Sequence, residues 1–93
     1  MDIEKMKEKF KEEGFPFIYE WKDEPDIEYP PHSHKAPVAL YVVEGEVVFN
    51  FGEKEIILKK GDRFDVPQNT EHIAKTGSQG CTFLVAEMVE GDS

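Results

Sequence analysis

"VALYVVEGEVVFNFGEKEIIL" (residues 38–58) is the stretch whose reading decides the fold. "VALYVVE" (38–44) is nearly all apolar, "EGE" reads as a turn, and "VVFNF" (47–51) follows as a second strand. Gly52-Glu53 places glycine first, as a tight two-residue hairpin prefers, and leads into "KEIIL" (54–58). Such runs of β-branched and aromatic residues suit a pleated, half-buried surface. Working outward, "FIYEWKD" (17–23) and "IEY" (27–29) read as strands joined by the turn "EPD". Downstream, "KKGD" turns the chain into "RFDVP", then "HIAKT", and finally "TFLVAEM" (82–88). Strand after strand at short spacing predicts an antiparallel sandwich or barrel, with a helix-first α+β domain with an open sheet as the alternative.

One segment breaks this grammar. In "DIEKMKEKFKEE" (2–13), Ile3, Met6 and Phe10 recur at spacings of three and four, one narrow apolar stripe on a helix. Gly14 ends that helix in the left-handed conformation and Pro16 blocks its continuation. So short a helix is not stable alone, so Met6 and Phe10 are expected to dock on the strands. The expected organisation is an N-terminal helix (1–15) packing on a barrel (16–90), with a frayed tail (91–93).

Ninety-three residues suffice for one small core, and 39% hydrophobic with 12% aromatic residues argues against disorder. No apolar run approaches the roughly 20 residues needed to cross a bilayer. Twenty acidic residues against eleven Lys and Arg give a charge of −9. That surface repels phosphate backbones and anionic lipid, so neither nucleic acid nor membrane is an expected partner. The charged opening residues do not form a signal peptide, which makes the cytoplasm the expected location. The lone Cys81 cannot form an intramolecular disulfide and reads as a buried thiol.

The chemistry-bearing residues are three histidines. His32 and His34 flank one serine in "PPHSH" (30–34), and His72 lies far along the chain. In an extended backbone His32 and His34 share a face, together with Val38, Leu40 and Val42. That face is apolar and therefore interior, and buried imidazoles need partners. A metal ion would satisfy them, and His72 is the third imidazole available. Tyr41 and Val43 have the opposite parity. They are expected to face outward as an apolar strip suited to a subunit interface.

"HSHKAPVALYVVEG" (32–45) and "GDRFDVPQNTEH" (61–72) together resemble the two motifs of the cupin superfamily. His32, His34 and Gly45 match the first motif; Gly61, Pro67 and His72 match the second. The resemblance covers roughly residues 26 to 88. It implies an all-β jelly-roll barrel, usually dimeric, with an internal metal beside a ligand cavity. Departures are as informative. The family's glutamate ligand falls at Val38, and Asn69 stands where a glycine belongs. Asp26 occupies another frequent glycine position, and Thr76 replaces an asparagine. Asn tolerates the left-handed backbone, so the turn at Asn69 is expected to survive.

The expected site is therefore His32, His34 and His72 on a divalent transition metal, Fe, Ni, Cu, Zn or Mn, walled by Val38, Leu40 and Val42. Three neutral imidazoles without a carboxylate leave the ion its full charge and open positions, which favours anionic or chelating ligands. Two functions follow. One is an oxygenase or isomerase of small organic acids, sugars or thiols; the other is a non-catalytic binding or sensing module with metal structural or absent. Glu71 and Asp65 flank the second motif as possible acids, bases or orienters of His72. Tyr19, Trp21, Tyr29 and Tyr41 are candidate cavity aromatics, and Arg63 is expected in a surface ion pair.

Overall fold

A computed structural model describes residues 3–90; the expected tail (91–93) lies outside them. The order is α1 (Ile3–Glu12), β1 (Phe17–Asp23), β2 (Glu28–His32), β3 (Val38–Phe51), β4 (Lys54–Lys59), β5 (Arg63–Val66) and β6 (His72–Glu87). All strand pairs are antiparallel: β1, β6, β3 and β4 lie side by side, β2 adds to β6, and β5 adds to β3.

Two long strands replace four expected short ones. "VALYVVE" and "VVFNF" form one continuous strand, β3, and "HIAKT" and "TFLVAEM" join as β6. The "EGE" segment is not a reversal. It is an irregularity between Val42 and Val47 that bends β3 while keeping it paired with β6. Bulges of this kind turn a strand over a barrel corner. Gly45, in the left-handed region at φ 78°, lies against Gly80, where a methyl group would overlap the Gly80 carbonyl. Glycine here marks close backbone approach between two bending strands. Gly52 does serve a reversal, between Phe51 and Lys54.

Because β3 and β6 alternate their side chains, they feed two apolar layers. One face carries Val38, Leu40, Val42, Phe83 and Val85 into the barrel interior. The other carries Ala39, Tyr41, Leu84 and Ala86 toward α1, whose Met6 and Phe10 seal it. The end of α1 is fixed by its own chemistry. Phe15 N–H donates to the Phe10 carbonyl and Gly14 N–H to that of Lys11, with Gly14 at φ 97°. This pairing satisfies the last carbonyls of the helix, and the Phe10 and Phe15 rings meet edge to face at 5.8 Å. Arg63 then clamps the helix end to β5, donating to both Glu13 oxygens at 2.6 and 2.7 Å with its guanidinium 5.0 Å from the Phe10 ring.

This arrangement corrects one expectation. Tyr41 and Val43 do have the parity opposite to the histidines, but they form no exposed strip, because Tyr41 is 4% exposed beneath α1. The chain covers that face itself.

Candidate metal centre

His32 ends β2 and His72 begins β6, and the two residues face each other directly across the β2–β6 ladder. Directly opposed residues project to the same side of a sheet. Their ring centroids are 4.4 Å apart, and His34 completes a triangle at 5.1 Å from each. One nitrogen from every ring lies within 4.8 Å of the others, a set able to hold a metal ion. His34 sits beyond the end of β2, where burial still alternates: His32, His34 and Val38 point in while Ser33 and Lys35 point out.

Backbone groups orient the rings. His32 Nδ1 lies 2.8 Å from the Pro30 carbonyl, and His72 Nδ1 lies 3.0 Å from that of Thr70. A carbonyl only accepts, so each Nδ1 bears the proton and each neutral ring keeps its Nε2 lone pair. His72 Nε2 is buried and meets no hydrogen-bonding group among the described residues. A buried, unsatisfied lone pair is costly unless something fills it. Burial holds His72 below the ordinary imidazole range; the Thr70 carbonyl pulls it up, and His32 and His34 push it further down. The neutral form that results is the one that ligates metal. These residues fit a divalent ion.

The turn before His72 is built as its sequence implies. Asn69 adopts φ 56°, and its N–H donates to the His34 carbonyl at 2.8 Å, tying the two motifs together. Asp26, at the other departed glycine position, also has φ 56°. Thr76 is buried; its hydroxyl accepts from Ile27 N–H and donates to the Glu24 carbonyl, both at 2.8 Å, which pins the turn before β2.

The histidines open into a cavity of about 170 Å³. Val38 and Leu40 line it; Val42 lies in the same core without reaching the lining. Tyr19, Trp21 and Tyr29 also line it, whereas Tyr41 belongs to the other face. Asp65 pairs with Arg63 at 2.9 Å, Glu71 is exposed, and a backbone carbonyl orients His72 in their place. The carboxylate in the cavity wall is Asp23, 8% exposed, which the motif spacing does not reveal. Strand parity does reveal it, since Asp23 follows Tyr19 and Trp21 at intervals of two. A second buried carboxylate, Glu87, pairs in register with Phe17 and Val38, outside the lining.

Comparison with known proteins agrees with this geometry. The family model described as a cupin domain matches residues 19–87. An RmlC-like cupin from Shewanella frigidimarina superposes with TM-score 0.68 at 26% identity, over 82% of this chain and 68% of that one. A cupin-like protein from Thermotoga maritima gives TM-score 0.66 at 27% identity, over 77% of this chain and 56% of that one. A polyketide cyclase from Streptomyces resistomycificus gives 0.65 at 25%, over 77% of this chain and 54% of that one. The chain thus spans between about half and two-thirds of these relatives. No curated protein sequence matches it.

Proposed function

The chain belongs to the cupin family, and on that premise we propose that it binds a divalent transition metal through His32, His34 and His72. The ion serves a small organic ligand held in the adjoining cavity. The observation that carries this reading is the buried Nε2 of His72, left without a protein partner where two further imidazoles converge. A metal bound by three neutral rings supplies Lewis acidity and open coordination positions. The chain's own residues do the rest. The Pro30 and Thr70 carbonyls fix two imidazoles, Phe49 and Phe51 pack 5.7 and 5.2 Å from the His72 ring, and Val38 and Leu40 give the site a dry wall.

The reaction class we propose is oxygenation or isomerisation of a small organic molecule. A cavity beside three nitrogen ligands supports it, and one structural neighbour, the polyketide cyclase, bears an enzyme's name. Val38 favours a second reading, a non-catalytic binding module, because an apolar side chain there contributes no ligand. Metal analysis of untagged protein beside His72→Ala decides the first step. A stoichiometric ion in the native chain, absent from the variant, is expected; two equally metal-free proteins of equal stability contradict the proposal. Oxygen uptake across a panel of small acids, thiols and phenols then separates enzyme from binding module.

We also propose a homodimer in the cytoplasm, where the free, buried Cys81 suits a reducing compartment. With Tyr41 covered, the outward apolar residues available to a second copy include Ile57 and Ile73, 52% and 42% exposed on strands flanking β3. A chain that stays monomeric at micromolar concentration contradicts this.

A further inference from the structure

Besides Tyr19, the polar side chains along the cavity wall form two groups: the three imidazoles, and a cluster built on Asp23. Trp21 Nε1 donates to Asp23 Oδ1 at 2.8 Å, and the Tyr29 hydroxyl lies 2.7 Å from both carboxylate oxygens. Trp21, half exposed, places this cluster at the cavity rim, and the Tyr29 ring stands 6.3 Å from that of His32. Asp23 is not among the ligand atoms that converge with the histidines.

The hydrogen-bond inventory of the cluster is one-sided. An indole has one N–H and a phenol one O–H, and Asp23 takes both. A carboxylate offers about four lone-pair sites, so acceptor capacity remains on Asp23 while the Trp21 and Tyr29 donors are used up. A ligand group that reaches the Asp23 carboxylate must donate. A second carboxylate or a phosphate would meet negative charge and unpaired acceptors, an arrangement that discriminates strongly in a buried site. The metal end has the opposite demand, since its charge is uncompensated by any carboxylate among the three ligands. Size closes the description. A cavity of about 150 Å³ is known to hold benzene, so 170 Å³ accommodates a body of about one ring.

We propose that Asp23, held by Tyr29 and Trp21, is a specificity-determining subsite. It selects single-ring-sized ligands that carry chelating oxygens toward the histidines and a hydroxyl or ammonium donor toward Asp23. This rests on the metal reading above for the ligand's head, and on the cluster alone for its tail.

The test uses four salicylates that share one chelating head and differ at ring position 4: hydrogen, hydroxyl, aminomethyl and carboxylate. Affinities are measured calorimetrically on zinc-loaded and metal-free protein, after zinc binding itself has been measured. The hydroxyl or aminomethyl probe, whichever tail fits better, binds about tenfold or more tighter than the carboxylate probe, the scale of one charge-assisted hydrogen bond. Which of the two leads distinguishes a neutral from a cationic donor. In Asp23→Asn, which keeps the shape but removes the charge and adds donors, that gap closes or reverses while zinc affinity stays within about twofold of native, far less than the roughly tenfold or greater loss from disturbing a ligand's supporting shell. The thermal midpoint of Asp23→Asn, read beside its zinc affinity, guards against a misfolded variant. Equal binding of all four probes, or an unchanged ranking in Asp23→Asn, overturns the subsite. Protein that takes up no zinc yet ranks the tails as stated contradicts the metal reading alone; zinc uptake without the ranking contradicts the subsite alone.

Discussion

β3 and β6 present two faces built from alternate residues of the same strands, and the faces differ in one respect: one is solid and the other hollow. Ala39, Tyr41, Leu84 and Ala86 are closed over by Met6 and Phe10, with Arg63 locking the helix end. Val38, Leu40, Phe83 and Val85 instead surround about 170 Å³ of space that reaches the three histidines. Core volume left unfilled forfeits dispersion and burial. The chain maintains such a space where the chemistry-bearing residues lie, and the packed face supplies the stability that makes it tolerable.

The sharpest break of this comparison comes from the solid face. Phe10→Ala removes a wholly buried ring and is expected to cost about 3–5 kcal/mol. Metal binding by the fraction that remains folded should be native. Denaturant unfolding with parallel zinc titration checks both, and a loss of zinc affinity in folded protein would tie the two faces together.

A matched pair follows. Ala86→Leu overfills the solid face and should cost about 1–3 kcal/mol, whereas Ala74→Leu, the same change on the cavity wall, should cost under about 1 kcal/mol because there is room to expand. The latter should abolish uptake of salicylate probes. Equal destabilisation by the two would mean that the cavity is not available space.

pH gives a smaller, graded effect, and it acts through the hollow face, where His72, Tyr29 and Cys81 lie. Burial lowers His72 from 6.5, so the unfolded chain binds a proton that the folded one resists. That contribution is fully present above about pH 6.5 and lost as pH falls through the lowered value. Burial raises Tyr29 from 10.0 and Cys81 from 9.0, each to about 12. The unfolded chain then ionises first, and stability is lost as pH rises from about 9 toward 12. Unfolding of metal-free protein across pH should trace this dome, and Cys81→Ala should flatten its alkaline side. Arg63→Met is expected to have the smallest effect, since partly exposed ion pairs contribute little. It should lower the thermal midpoint less than Phe10→Ala and leave zinc binding unchanged.

How far the sequence could be read follows the same division. The three histidines were legible because parity and motif spacing are local properties of an extended chain. Asn69 was legible as a left-handed position from its side-chain chemistry, whereas Asp26 was legible only as the occupant of a frequent glycine position. The "EGE" bend was not, because Glu44-Gly45-Glu46 carries the composition of a reversal; its true role needs Gly80, thirty-five residues later, packed against it. Tyr41 was misassigned to the surface because its cover, α1, is remote in sequence, and parity says which face a residue takes but not what lies over it. Asp23 lies outside both motifs, so motif spacing does not single it out, although its parity with Tyr19 and Trp21 sets it on their face of β1.

Anomalous diffraction from crystals of zinc-loaded protein tests the central claim most directly. One strong site is expected, about 2.0–2.1 Å from a nitrogen of each of His32, His34 and His72. Anomalous density only on the acidic exterior, with the three rings uncoordinated, would contradict it.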